Sequence, residues 1–291
     1  MQSNTLMVIA HPGHEILAWG WLRKVKPRVL VVTDGSGGSG ESRIVTTGKL
    51  LRDAGTTPGK LFGDYSDRFL YSRILERDVY FLEMLVHLMV GEIVSQEIRV
   101  VVGDSAEGMI MSHDLIREVR RVAVRIAEDQ LGWKIKHLEF PLDSHPNACP
   151  INLESQRYQE RLDQKQWDEK IRVAKDYPDI RVFVDAAIEK HGVEAFQQET
   201  FFPVTSQSLI PHDVTPLPYE AYGDRQVKAK RYQEAIRFHQ HLSPIFQHLY
   251  QLQPDWSDLR MPMVANQLPM VPNQRAVQRS NTPTFSRESG S

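Results

Sequence analysis

Two histidines three residues apart, His11 and His14, stand in the segment Ala10-His-Pro-Gly-His-Glu15, where an apolar run gives way to a proline and a glycine. On a tight turn, that spacing lets two imidazoles converge on one ion. A helix starting there would also turn its backbone N–H groups and positive dipole end toward a developing oxyanion. The plainer alternative is that both histidines cap or pack locally. A second segment, Gly35-Ser-Gly-Gly-Ser-Gly40, matches G-x-G-x-x-G after an apolar run, with Asp64 some distance beyond it. This pattern supports a rival expectation, a dinucleotide-binding protein. Against that rival, the match follows the second apolar run rather than the first, and turns rich in glycine and serine satisfy the pattern easily. Under either expectation the glycines, Gly37 among them, let backbone N–H groups approach a polar ligand, and Ser36, Ser39 and Arg43 become candidates for contact with sugar hydroxyls or a phosphate. Neither a P-loop of the G-x-x-x-x-G-K-[ST] type nor a G-x-S-x-G elbow occurs, so phosphoryl transfer on a P-loop and serine hydrolysis have no support.

The elements that must position these residues follow from hydrophobic pattern. Leu6 to Ala10 and Val29 to Val32 are short continuous apolar runs, which read as buried parallel strands. Between them Ile16, Leu17, Trp19, Trp21, Leu22 and Val25 suit a crossover helix that ends before Pro27. Further along come a helix over Arg43 to Ala54, a brief strand at Leu61 and Phe62, and one long helical stretch from Asp67 to Gln96. A strand at Ile98 to Val102 ends in Gly103 and Asp104, a helix covers Leu115 to Ala127, and a strand at Lys134 to Phe140 closes the sheet. Alternation of this kind predicts an α/β fold, a Rossmann-like, mostly parallel sheet with helices on both faces. Ligands of such sheets bind outside the carboxyl ends of the strands, where His11 to Glu15 must lie.

After Asn152 the texture becomes helical and charged, with helices expected over Glu154 to Lys175, Ile180 to His191 and Tyr219 to Leu252. The expected organisation is therefore an α/β core over 1–150, a helical C-terminal extension packed on it over 151–253, and a disordered tail over 254–291. The tail is rich in Pro, Gln, Asn, Arg and Ser and poor in apolar residues.

The chain has 291 residues with a formal charge of −2 from 35 basic and 37 acidic residues, and this balance gives no broad positive field for nucleic acid or an anionic membrane. A small-molecule partner is the expectation, with oligomerisation left open. The single Cys149 rules out an intrachain disulfide, and the first residues lack the basic and apolar regions of a signal peptide. The most apolar later stretch, Val79 to Val94, is interrupted by Glu83, His87 and Glu92. No membrane span and a cytoplasmic location are expected.

The stretch Met7-Val-Ile-Ala-His-Pro-Gly-His-Glu15 resembles the signature of the LmbE/PIG-L family of zinc-dependent de-N-acetylases, whose opening strand ends in Ala-His-Pro-Asp-Asp-Glu. Val31-Val-Thr-Asp-Gly-Ser36 resembles that family's second-strand turn. Glu107-Gly-Met-Ile-Met-Ser-His113-Asp resembles the segment that delivers the distal metal ligand, and Pro141-Leu-Asp-Ser-His-Pro146 resembles a loop after the last sheet strand. The resemblance covers residues 5 to 150. It implies His11 and His113 as imidazole ligands of Zn2+ or another divalent metal, with His14 in the place of a ligand aspartate. Such an all-nitrogen set suits zinc and leaves a position for water. It also implies Gly13 where the family has the aspartate that takes a proton from metal-bound water, and losing such a base costs about 10²–10⁴-fold in rate. Glu107, Glu15 and Asp104 are the candidate replacements, Glu107 foremost because it lies six residues before His113; Asp104 is also a candidate for contact with substrate. For Glu15 the simpler role is a carboxylate at a helix N-terminus. His145 is a candidate to protonate the leaving amine, and a simple turn accounts for its neighbours equally well. The resulting expectation is a zinc-dependent N-deacetylase, a hydrolase removing an acetyl group from an N-acetylated sugar or related small molecule. The alternative is a protein that binds metal without hydrolysis.

Overall fold

The computed structural model describes residues 4–37, 40–206, 209–210 and 215–253; the tail expected from 254 onward lies outside the described residues. Strand β1 (Thr5–Ile9) is buried along its whole length, and β2 (Arg28–Thr33) nearly so. Apolar runs without alternation do this because both faces of a central parallel strand are covered. Between them a 3-10 turn over His14–Ala18 leads into helix α1 (Trp19–Val25), which stops at Lys26 in the left-handed region, φ 53, just before Pro27. Next come α2 (Ile44–Asp53), β3 (Thr57–Tyr65), α3 (Asp67–Leu75), α4 (Val79–Ser95), β4 (Val100–Asp104), α5 (Met111–Leu131) and β5 (Lys136–Phe140).

The seven-stranded sheet has the order β3-β2-β1-β4-β5-β7-β6, where β6 is Tyr158–Arg161 and β7 is Gln198–Pro203. Strands β1 to β5 pair in parallel, while β7 runs antiparallel to both β5 and β6. The mostly parallel α/β fold is as the alternation predicts. Chain order reverses between β1 and β4, so the crevice outside their carboxyl ends is the place where this sheet type receives a ligand. The buried core gathers Met7, Ile9, Val29, Val31, Val102 and Leu138 with Trp19, Leu22 and Phe201.

Three stretches differ from the sequence expectation. The long helix over 67–96 is two helices, because Arg77 takes φ 51 and the Asp78 carboxylate accepts from Phe81 N at 3.1 Å, starting α4 afresh. The sheet does not close at β5. Instead the region after 151 adds β6 and β7 along with helices α6 (Gln164–Lys175), α7 (Arg181–His191), α8 (Pro218–Lys228) and α9 (Ser243–Gln251). Polarity hid β7: its Glu199 is buried, accepting from Gly20 N and Trp21 N at 2.8 Å each and pairing with Lys170 Nζ at 2.9 Å. That carboxylate caps the first turn of α1, which ties the added strands to the opening βαβ unit. Thirdly, Tyr219 to Leu252 holds α8 and α9 separated by irregular chain and a single π-turn at Phe238–Leu242. No helix among the described residues is long and apolar enough to cross a membrane.

Candidate functional site

Three imidazoles meet at the sheet's reversal point. His11 and His14 follow β1, and His113 is the third residue of α5, which the chain reaches from β4. The ring centroids lie 5.3 Å (His11 to His14), 5.2 Å (His11 to His113) and 4.7 Å (His14 to His113) apart, all edge to face. His11 and His113 are buried and His14 is partly so.

Hydrogen accounting assigns the tautomers. The Thr33 hydroxyl donates to Ala10 O at 3.0 Å, so it accepts from His11 Nδ1 at 2.7 Å, and Nδ1 carries the proton. Asp67 Oδ1 stands 2.9 Å from the same nitrogen, on which its charge acts directly. On the other side, His11 Nε2 accepts from Ser112 Oγ at 2.7 Å. His14 Nδ1 donates to Asp104 Oδ2 at 2.9 Å, and the same oxygen accepts from Ala10 N at 2.7 Å. His113 Nδ1 stands 3.8 Å from Asp143 Oδ2, while its Nε2 is buried without a hydrogen-bond partner. Burial, reinforced by the neighbouring His14 and His11, holds the His113 pKa far below its ordinary value, so this ring is neutral. Burial also lowers His11 against the pull of Asp67. In His14 burial is outweighed by Asp104, Glu15 and Asp143, which together raise its pKa.

Whether these residues suit the divalent metal implied by the resemblance can be judged from geometry. Three imidazoles bound tetrahedrally through bonds of about 2.0–2.1 Å hold their centroids about 5 Å apart. The observed spacings match, the donor set is all nitrogen, and His113 Nε2 is a buried ring nitrogen with no hydrogen-bond partner. The donor atoms themselves are not gathered on one point: among the described residues no group of three or more His, Cys, Asp or Glu side chains stands arranged to hold an ion. Ser112 is one reason, since it occupies His11 Nε2. The residues therefore fit a metal by type and ring spacing, and His11 must release Ser112 to present its nitrogen.

The carboxylates nominated from sequence are all engaged. Glu15 accepts from Gly13 N and Thr47 Oγ1 at 2.7 Å each. It is fully buried, and that burial raises its pKa. Glu107 takes Ser105 Oγ at 2.7 Å and Leu142 N at 2.6 Å on one oxygen, and Asp143 N at 2.9 Å and Ser144 N at 2.7 Å on the other. It clamps the loop after β5. Asp104 orients His14 as described. His145 is exposed, packs its ring against His191 at 5.3 Å and accepts from Asn147 N. Gly13 has φ +106, and a Cβ there would meet Ile180 at 3.3 Å, so backbone and packing together disfavour an aspartate at this position.

In the glycine loop Ser36 is buried and Gly37 exposed, and Ser39 lies outside the described residues. Arg43 Nε donates to Gly35 O at 2.6 Å, Ser36 N to Asp34 Oδ1 at 2.9 Å and Gly37 N to Asp67 Oδ2 at 2.6 Å. These amides face carboxylates, an unfavourable setting for a dinucleotide's phosphates. Sequence inspection passed over Thr33, Asp67, Ser112 and Asp143. The one available signal was position: Thr33 ends a strand, Asp67 and Ser112 open helices, and Asp143 follows a strand.

No known family model and no curated protein sequence matches the chain. Among solved structures it is similar to the A40926 pseudoaglycone deacetylase Dbv21, with 15% identity and a TM-score of 0.47 over 70% of this chain and 98% of that one. A deacetylase of the teicoplanin biosynthesis pathway aligns at 13% identity and a TM-score of 0.49, covering 72% of this chain and 100% of the other. The conserved protein TT1542 from Thermus thermophilus aligns at 16% identity and 0.47, covering 74% and 100%. The likeness is one of general chain path, and residue roles rest on the geometry given above.

Proposed function

We propose that this chain is a cytoplasmic, divalent-metal-dependent amide hydrolase that removes an acetyl group from an N-acetylated sugar or a related small molecule. The observation that carries the proposal is the convergence of three neutral-capable imidazoles at the sheet's reversal point, each with an aspartate beside its Nδ1. His11, His14 and His113 are the residues that would hold zinc, which when bound polarises an acyl carbonyl and makes a coordinated water more acidic. Asp104 and Thr33 keep the protons of His14 and His11 on Nδ1. Gly37 reaches the cluster through Asp67, and with Ser36 and Arg43 of the same loop it is assigned to polar groups of the substrate. Glu107 fixes the loop that carries Asp143, the carboxylate nearest His113, and His145 stays a candidate proton donor to the departing amine.

A second reading, metal binding without hydrolysis, is favoured by the glycine at 13 and by the full engagement of Glu15 and Glu107. One pair of measurements separates the two. Purified protein equilibrated with zinc is expected to retain one equivalent, and His11→Ala to lose it. The zinc-loaded protein is then expected to release acetate from a panel of N-acetylated amino sugars. Metal retention with no acetate from any member sinks the hydrolase reading and leaves the binding one. A wild-type protein that retains no metal sinks both.

A further inference from the structure

Each imidazole of the cluster turns Nδ1 toward an aspartate that comes from a different part of the chain. Asp67 opens α3, Asp104 ends β4, and Asp143 lies in the loop after β5. None is adjacent in sequence to the histidine it serves. Asp67 and Asp104 are 3% and 0% exposed, so their charges are held in the interior where they act on the rings at low dielectric. Each is also anchored independently of its histidine. Asp67 Oδ2 accepts from Gly37 N at 2.6 Å, and Asp104 Oδ2 accepts from Ala10 N at 2.7 Å. Asp143 is fixed at its backbone, by Glu107 through its amide and by Lys190 Nζ through its carbonyl at 3.1 Å.

We infer that Asp67, Asp104 and Asp143 are positioning residues that lock His11, His14 and His113 as Nδ1–H tautomers, leaving every Nε2 as the nitrogen able to accept a metal ion. The inference rests on the metal reading above for the ion, and on geometry alone for the tautomers. A carboxylate can only accept, so a ring nitrogen beside it carries the proton. Ser112 reports the same tautomer from the far side of His11, because its hydroxyl donates to Nε2. For His113 the Asp143 oxygen is about 1 Å beyond hydrogen-bond length, so its influence is electrostatic and the weakest of the three. Negative charge behind the rings also supplies in the surroundings what an all-imidazole ligand set lacks. Partners of this kind behind a ligand histidine are typically worth about 10–100-fold in metal affinity.

The test uses the full chain with nitrogen-15 histidine. Long-range proton–nitrogen spectra of the wild type are expected to show Nδ1 protonated and Nε2 unprotonated for His11 and His14. Asp67→Asn and Asp104→Asn are expected to shift their own histidine toward a tautomer mixture, and to weaken zinc binding in a competitive chelator titration by about 10–100-fold. Asp143→Asn is expected to weaken it least. Should Asp104→Asn fail to fold because Ala10 N depends on it, Asp67→Leu combined with Thr33→Val removes both acceptors at His11 and leaves β4 intact. Unchanged nitrogen spectra in folded variants overturn the inference, as does a wild type with the proton on Nε2 of His11 or His14. Zinc affinity within twofold of wild type in both Asp67→Asn and Asp104→Asn does so too. If the wild type binds no zinc while the tautomers respond as described, the metal reading fails and the positioning role stands.

Discussion

Helix α5 carries two buried polar clusters along its length, and they are built on opposite principles. Near its start stands His113. One and two turns later stand Arg117 and Arg120, spaced to share a face with it. In the lower cluster every guanidinium nitrogen donates. Arg117 forms a two-pronged pair with Glu139 at 2.7 and 3.2 Å and also reaches Glu118 and Thr205 O. Arg120, 0% exposed, donates to Val8 O at 3.3 Å, Asp104 O at 2.9 Å and His137 Nε2 at 2.9 Å. The upper cluster leaves its valences open. Of the ten buried side-chain atoms without a hydrogen bond among the described residues, four are His113 Nε2, Asp143 Oδ2, Asp104 Oδ1 and Asp67 Oδ1. Buried polar groups are normally satisfied, so a concentration of atoms without hydrogen bonds sets this cluster apart from the one below it. The two clusters are also joined: Arg120 holds the carbonyls of Val8 and Asp104, on the two strands that carry the histidines and their partner. A closed ionic network thus supports an open imidazole site.

Breaking the lower cluster is expected to have the largest effect. Glu139→Ala removes the main counter-charge of Arg117 and leaves Arg120 less compensated, and stripping one partner from a buried network costs about 3–5 kcal/mol. Urea unfolding at neutral pH measures this, and a loss below about 1 kcal/mol would show that the network does not support the fold in this way.

Asp114 tests the boundary between the clusters. Its Oδ1 accepts from Glu107 N at 3.0 Å and Gly108 N at 3.3 Å, while Oδ2 has no partner. Burial, with the Glu107 charge adding to it, raises its pKa to about 7. A carboxyl raised in the folded state favours folding most where both states are protonated, below about pH 4. That contribution fades as pH climbs from about 4 through about 7, because the unfolded chain ionises first. The full difference is at most about 4 kcal/mol. Asp114→Asn keeps an acceptor for the two amides and cannot ionise. The stability difference between wild type and variant is therefore expected to change steadily from pH 4.5 to 7.5 in favour of the variant. A constant difference across that range refutes the assignment.

How much of this was legible in the sequence differs by cluster. The strand ends were, because β1 and β2 are apolar runs that stop at His11 and Thr33, and the fold class followed from their alternation with helices. The histidine turn was legible for the same reason. The partners were not. Asp67, Ser112 and Asp143 act across 56, 101 and 30 residues of separation from His11 and His113, and a lone aspartate at a helix start reads as a cap. Strand β6 was missed because its exposed and charged residues imitate a helix surface, and β7 because a glutamate interrupts its short buried run. Glu199 is buried against Lys170 and the first turn of α1, a contact that no local pattern announces.

The smallest expected effect sharpens the contrast most. His113 is neutral, buried and has a ring nitrogen with no hydrogen-bond partner, so His113→Leu removes an unsatisfied polar atom and keeps much of the volume. Replacing a buried group of this kind by an apolar one is close to neutral for folding, and we expect a change within about 1 kcal/mol in either direction when metal is chelated. The difference should appear only when zinc is added. A ligand that binds the folded state alone, at about 100 times its Kd, stabilises by about 2.7 kcal/mol. Wild-type protein should gain stability on that scale and the variant almost none, measured by thermal unfolding with and without zinc. A variant that is several kcal/mol less stable under chelation would place His113 with Arg117 and Arg120 as part of the fold's support. A variant stabilised by zinc as strongly as the wild type would remove it from the ligand set.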